Sequence, residues 1–200
     1  MKIYYHLNSE GFSNTYVVAN EKTKDVIIID PGEMNDEIIE QIEVNEFKLT
    51  SVLITHNHKS HVNGLKTMLK IYSPRIYGAD WGIAGKDTTV LNGDGKLRLA
   101  GMTVHYMMLP GHTADSMVYK IGSVLFTGDS ITAGRIGSTN SSYSSHILRQ
   151  NINERILSQQ ENTIIMPGHG PPSSVGAEKY CNMDLNGTMP NNLTRPIGFY

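Results

Sequence analysis

Cysteine is almost absent from this 200-residue chain: Cys181 stands alone. No disulfide can form within the chain, and the sequence fits a reducing compartment. An excess of one charge sign is absent as well. Seventeen Lys and Arg against nineteen Asp and Glu leave a net charge of −2, so there is no basic stripe and nucleic acid is not an expected partner. Long apolar runs are missing. No stretch approaches the roughly 18 residues that a membrane span requires, and the opening MKIYYHLNSEGFSN holds no apolar run of secretory length. These absences give the expectation of a cytoplasmic protein without a membrane partner.

What is present is enough apolar material, 39% of residues, for one domain with a sizeable core. Thr15–Ala19 and Val26–Asp30 read as a hairpin of β-branched strands. Val26 to Ile29 lacks alternation, which predicts a strand covered on both faces. Asp36–Phe47 has Ile38, Ile39, Ile42 and Phe47 near helical spacing. Ser51–Thr55 reads as a strand, and Val62, Leu65, Leu69 and Tyr72 mark one helix face from His61 to the residue before Pro74. The second half repeats this grammar. Met117–Lys120 and Val124–Thr127 form a tight hairpin around Gly122-Ser123. A helical pattern through Ile147, Leu148, Ile152, Ile156 and Leu157 follows, then a strand over Thr163–Met166. A duplicated βα unit whose strand ends converge on one site is the expectation. The domain spans residues 1–183; the tail 184–200, rich in Asn, Gly and Pro, is expected to be loop-like or to pack on a partner.

Five of the eight histidines fall at strand ends or in glycine-containing turns. His56-x-His58-x-x-His61 follows a buried strand, so one tight loop can turn several imidazoles into a pocket. His112 lies in Pro-Gly-His-Thr and His169 in Pro-Gly-His-Gly, where glycine permits sharp turns. Asp129 ends a strand in Thr-Gly-Asp-Ser, where a carboxylate can bridge two cations. Imidazole suits zinc, iron, copper or nickel, and a neighbouring carboxylate shifts the preference toward zinc, iron or manganese. His6, His105 and His146 have no such context and read as structural or solvated. The expected cofactor is one or two divalent metal ions, zinc first, with iron and manganese as alternatives.

THNHKSH, PGHT, FTGDS and PGHG, in that order, resemble the metallo-β-lactamase superfamily, and Asp30-Pro31-Gly32 matches another of its features. LFTGDSITAGRIGSTN and MPGHGPPSSVGAEKYCN are similar to the glyoxalase II-related small hydrolases. The resemblance spans about residues 10–182. It implies an α/β fold, a four-layer αβ/βα sandwich with metals at one edge of the central sheets. It further implies that His56, His58 and His112 hold the first metal and that His61 and His169 hold the second. Asp129 would bridge the two, and Asp30 would orient an imidazole from behind.

One family position is different. The pattern His-x-His-x-Asp-His reads here His56-Asn57-His58-Lys59-Ser60-His61, so Ser60 stands beside the second site where a charged ligand belongs. Lys59 adds a positive charge next door. The leading expectation is a hydrolase of a thioester or another activated acyl compound, in which metal-activated water attacks a polarised carbonyl and Asp129 positions the nucleophile. Ser130 and Ser138 read as caps or hydrogen-bonding partners; Arg135, Asn140 and Tyr143 follow the bridging position, where a small-molecule substrate could be met. Glyoxalase II enzymes carry a further C-terminal helical region that grips glutathione, and only some 30 residues follow Gly170 here, which weighs against that substrate. The alternative is a non-hydrolytic iron- or oxygen-binding protein or sensor on the same fold. The di-iron members carry a carboxylate where this chain has His58, which weighs against it. A degenerate structural module is the third reading. Substrate and oligomeric state are left open.

Overall fold

Unbroken β-branched runs build the centre of the first sheet. The computed structural model describes residues 1–187. Strands β1 (Lys2–Leu7) and β2 (Asn14–Ala19) pair antiparallel, and β3 (Asp25–Ile29) returns beside β2. All of β2 and Val26–Ile29 of β3 are buried, as strands covered on both faces must be. Asp30 leaves the strand with φ of +51°, a conformation that Asp tolerates better than most residues.

Helix α1 (Asp36–Val44) starts where Asn35 Oδ1 accepts the Ile38 N–H at 3.1 Å. Ile38 and Ile42, one turn apart, are both fully buried on the sheet, and each contributes about 1.5–3 kcal/mol. The helix is shorter than its pattern predicts. Glu46 takes φ of +56°, which turns Phe47 out of the helix and onto Tyr4. Strand β4 (Lys48–Leu53) then pairs parallel with β3.

The expected single helix after the first histidines is two, α2 (Lys59–Val62) and α3 (Leu65–Ile71). Between them the Gly64 N–H donates to Pro31 O at 2.9 Å, and a Cβ at position 64 would lie 2.7 Å from that same oxygen. The interruption docks the histidine loop against the Asp30 turn. Strands β5 (Arg75–Gly78) and β6 (Thr88–Val90) complete a six-stranded sheet in order β1-β2-β3-β4-β5-β6.

The second sheet begins with the hairpin β7 (Gly95–Leu99) and β8 (Met102–Met108), followed by β9 (Met117–Ile121) and β10 (Val124–Gly128). A short hairpin, β11 (Ile131–Thr132) and β12 (Arg135–Ile136), precedes α4 (Ser142–Asn151), which continues as a π turn over Ile152–Ile156. Strands β13 (Ile164–Pro167) and β14 (Ser173–Ser174), then α5 (Val175–Cys181) and α6 (Met183–Asn186), complete the described chain, and the sheet order is β14-β13-β10-β9-β8-β7. The two halves share one plan: an antiparallel hairpin, a helical crossover and a parallel strand, β2-β3-α1-β4 in one and β9-β10-α4-β13 in the other.

Three apolar clusters define the layers. Tyr16, Ile27, Ile29, Leu53, Tyr119 and Phe126 fill the space between the sheets. Val17, Ile28, Val52, Ile38, Ile42 and Met68 join the first sheet to α1 and α3. Val118, Leu125, Ile165, Leu148, Ile152 and Ile156 join the second sheet to α4 and its π turn. The result is the expected four-layer αβ/βα sandwich. No helix among the described residues is long and apolar enough to cross a membrane. Ordered structure continues past residue 183: Asp184 accepts from Ile136 N at 3.0 Å and Arg135 Nε at 3.1 Å, and Leu185 packs on the third cluster. The rest of the expected tail, 188–200, lies outside the described residues.

Candidate metal centre

Every one of the six candidate ligands follows a strand or sits in the short helix after one, at a single edge of the sandwich. His56 and His58 come from the loop after β4, and His61 from α2. His112 follows β8, Asp129 follows β10 and His169 follows β13. Their donor atoms gather into two groups able to hold a metal ion: His56, His58, His112 and Asp129 in one, His61, Asp129 and His169 in the other. Asp129 belongs to both.

The distances fit a cation. His58 Nδ1 lies 2.9 Å from His56 Nε2 and 3.2 Å from His112 Nε2. Nitrogens bound to one tetrahedral zinc at about 2.1 Å stand roughly 3.4 Å apart. Asp129 Oδ2 is 3.7 Å from His56 Nε2, 3.7 Å from His112 Nε2 and 3.5 Å from His169 Nε2, while its Oδ1 is 3.5 Å from His61 Nε2. His61 Nε2 and Asp129 Oδ1 are buried and have no hydrogen-bond partner. Orphaned polar atoms of this kind call for an ion or water between them.

Outer partners fix three of the imidazoles. His112 Nδ1 donates to Ser138 O at 2.7 Å, leaving its Nε2 lone pair toward the cluster. His61 Nδ1 lies 3.0 Å from Asp30 Oδ2. Thr55 Oγ1 donates to Asp30 Oδ2 at 2.6 Å and stands 3.1 Å from His56 Nδ1. Asp30 therefore orients two histidines, His61 directly and His56 through Thr55, which is the usual way a ligand's tautomer is set. Gly168 is required by close approach: a Cβ there would lie 2.3 Å from Asp129 Oδ1 and 2.6 Å from His61 Cε1.

The remaining expectations divide. Ser60 sits against the Gly11 turn, where a Cβ on Gly11 would be 3.1 Å from Ser60 Cβ, and among the described residues no second carboxylate joins His61 and His169 in its place. Lys59 is exposed and paired with Glu10 at 2.9 Å, so its charge is turned away. Asn140 and Tyr143 line a cavity of about 420 Å³ with His58, His112, Thr113, Ser144 and Ile147. Arg135 does not; it pairs with Asp184 at 3.1 Å. His6 bonds Gln41, and His105 lines a larger cavity with Lys96 and Lys120 that contains none of the six ligands. Ser138, expected as a cap or hydrogen-bonding partner, is a partner through its carbonyl; sequence reasoning missed Thr55, which stands immediately before the histidine motif.

Burial and charge push two histidines in opposite directions. Burial and the neighbouring His61 lower His56 from 6.5 to about 3. Burial opposes charge on His61 too, but Asp30 and Asp129 outweigh it and raise the group to about 10. Asp129 is held well below its ordinary 3.8: burial would raise it, and His61, His56 and His169 prevail. A raised histidine gives stability that is complete below its unfolded value near 6.5 and lost as pH rises toward 10; a lowered one gives stability that is lost as pH falls from 6.5 toward 3. The metal-free protein is therefore expected to be most stable near pH 6.5, with thermal midpoints falling on both sides. A midpoint that climbs steadily to pH 9 would show that His61 is not charged beside Asp30.

Residues 8–80 match the metallo-beta-lactamase superfamily. An uncharacterized protein of Treponema pallidum (strain Nichols) is 32% identical over 175 residues, covering 87% of this chain and 94% of its own length. The hydroxyacylglutathione hydrolase GloC of Haemophilus influenzae is 28% identical over 187 residues, covering 82% and 88%. The crystal structure of BLEG-1 B3 metallo-beta-lactamase has a TM-score of 0.83 at 24% identity and covers 93% of this chain and 100% of that one. Sequence and fold agree over nearly the whole length of these proteins, and the chain belongs to the metallo-β-lactamase superfamily.

Proposed function

We propose that this protein is a metal-dependent hydrolase of a thioester or another activated acyl compound. The observation that carries this reading is the Asp129 carboxylate shared between the two donor groups, beside a cavity of about 420 Å³ that opens on His58 and His112. Divalent ions held there would lower the pKa of water toward neutrality and polarise a carbonyl oxygen. Asp129, held well below 3.8, stays ionised at neutral pH. It acts by accepting a hydrogen bond from the attacking water and aiming it, rather than by storing a proton. Asp30, through His61 and Thr55, keeps imidazole lone pairs turned inward. Asn140, Tyr143 and Ser144 offer hydrogen bonds to the acyl part of a substrate, and Ile147 offers an apolar contact. The relation to a hydroxyacylglutathione hydrolase supports the thioester class.

A second reading has its own observation. His61, His169 and Asp129 form a set of two imidazoles and one carboxylate, the composition used by non-haem iron oxygen chemistry. Iron analysis of protein purified without added metal, with an absorption spectrum under oxygen, separates the two readings.

The donor counts also rank the groups. Four side chains serve the first and three the second, so zinc titration of metal-free protein is expected to show one strong and one weaker site. Ser60→Asp should tighten the weaker site by at least about 10-fold, the lower end of what an outer partner alone contributes, and generic thioester hydrolysis should rise with it. If neither occupancy nor hydrolysis changes, Ser60 is a bystander. If the spectrum changes while turnover does not, the iron reading gains.

A further inference from the structure

His169 is, with the exposed His58, one of the two imidazoles in the site that no outer partner fixes. Its side chain is 34% exposed, and no described acceptor sits behind its ring as Asp30 does for His61 or Ser138 O for His112. Its aim is set by its backbone turn alone. That turn, Pro167-Gly168-His169-Gly170, is tied by its Gly168 N–H to Gly128 O at 2.8 Å and is clasped on both sides of His169 by Asn14, 153 positions before Pro167 in the chain. The two amide hydrogens of Asn14 Nδ2 serve Pro167 O at 2.9 Å and Gly170 O at 2.8 Å, one oxygen on each side of His169. The Asn14 backbone N–H donates to Gly168 O at 2.7 Å, and Ser13 forms a bridge with His169 itself. Tyr16 OH adds a second bond to Pro167 O at 2.6 Å.

Asn14 is fully buried, yet its Oδ1 has no hydrogen-bond partner. A residue kept for packing would not bury an unpartnered acceptor, because that desolvation is uncompensated. The useful half of the side chain is the donor half: its shortest contacts are to the two carbonyls of the His169 turn, with Tyr16 OH at 3.2 Å as a third acceptor.

We propose that Asn14 is a positioning residue for the second metal group, fixing the direction of His169 through the two carbonyls that flank it. The inference rests on the reading of His169 as a metal ligand. Leucine keeps the branched outline of asparagine, although it is larger, and removes the orphaned acceptor together with the donors. Asn14→Leu is therefore expected to lower the thermal midpoint of the metal-free protein, through overpacking and the loss of two buried hydrogen bonds, while loosening the turn.

The test is zinc titration of the metal-free protein against a competing chelator, for the parent, Asn14→Leu, Asn14→Ala, His169→Ala and the double variant Asn14→Leu/His169→Ala. Asn14→Leu should weaken the second site by about 10–100-fold, the usual cost of losing a partner that orients a ligand. The first site, which His169 does not join, should move by less than about 3-fold, within the scatter of distant, independent sites. In the His169→Ala background the Asn14 substitution should cost nothing further at the second site. Equal weakening of both sites, or a further loss in the double variant, would assign Asn14 to general stability and overturn the proposal. If His169→Ala leaves the second site intact, the ligand reading fails instead. If Asn14→Leu does not fold, Asn14→Ala carries the same comparison, and an unchanged second site in either variant sinks the idea.

Discussion

Asp129→Ala is expected to remove most bound metal and to lower thioester hydrolysis by at least about 100-fold, the upper end of what losing a mere outer partner costs. The reason is that this carboxylate is counted twice. Replacing His56 or His169 takes one donor from one group, whereas replacing Asp129 takes a charged donor from each. Its two oxygens face different partners, Oδ1 toward His61 and Oδ2 toward His56, His112 and His169. Among the described residues, no other side chain belongs to both groups. The fold should survive, since none of the three apolar clusters includes Asp129. Asp129→Asn refines the expectation: it keeps the shape but loses the charge, so two zinc ions should no longer be held together even if the first site is partly kept. Zinc content after dialysis, measured beside hydrolysis, reads both effects. Near-normal content at both sites in Asp129→Ala would remove the bridge.

The six candidate ligands were legible because each announces itself locally. A metal ligand at a strand end needs a sharp turn, and the turns carry their glycines and prolines in the sequence beside His112, Asp129 and His169. The two halves were legible for a similar reason, since a buried parallel strand writes itself as a run without alternation. What the sequence hid was whatever depended on distant approach. The break between α2 and α3 comes from the Pro31 carbonyl meeting Gly64, and helical spacing alone runs straight through it. Strands β5 and β6 are four and three residues long, too short for any periodicity to register. Asn14 acts on a ligand far along the chain, so no local spacing marks it. Asp30 was expected, from the resemblance, behind one imidazole; that it serves two, the second through Thr55, was not legible.

That last role gives the other large effect. Asp30 is 2% exposed and accepts three hydrogen bonds: Thr55 N at 2.7 Å, Thr55 Oγ1 at 2.6 Å and His61 Nδ1 at 3.0 Å. Asp30→Ala leaves the charged His61 without its nearest counter-ion, a loss that costs about 3–5 kcal/mol when one partner of a buried pair is removed. It also strands the Thr55 N–H, worth about 1–3 kcal/mol more. Alanine inherits the φ of +51° without the side-chain hydrogen bonds that make it tolerable. The sum approaches the whole stability of an ordinary domain, about 5–15 kcal/mol, so the metal-free variant should be partly unfolded at room temperature. Asp30→Asn separates the components. Its Oδ1 can still accept from Thr55 N, so it should fold, but one of the two charges that raise His61 to about 10 is gone, and only Asp129 remains. The decline in stability above pH 6.5 should then become shallower and end at lower pH, because a histidine raised by Asp129 alone has less stability to lose as pH climbs. Urea unfolding of metal-free protein across that range measures both variants. A loss below about 1 kcal/mol in Asp30→Ala, the net worth of a single ordinary hydrogen bond, would mean that the Asp30–Thr55–His61 network holds neither the fold nor the ligands.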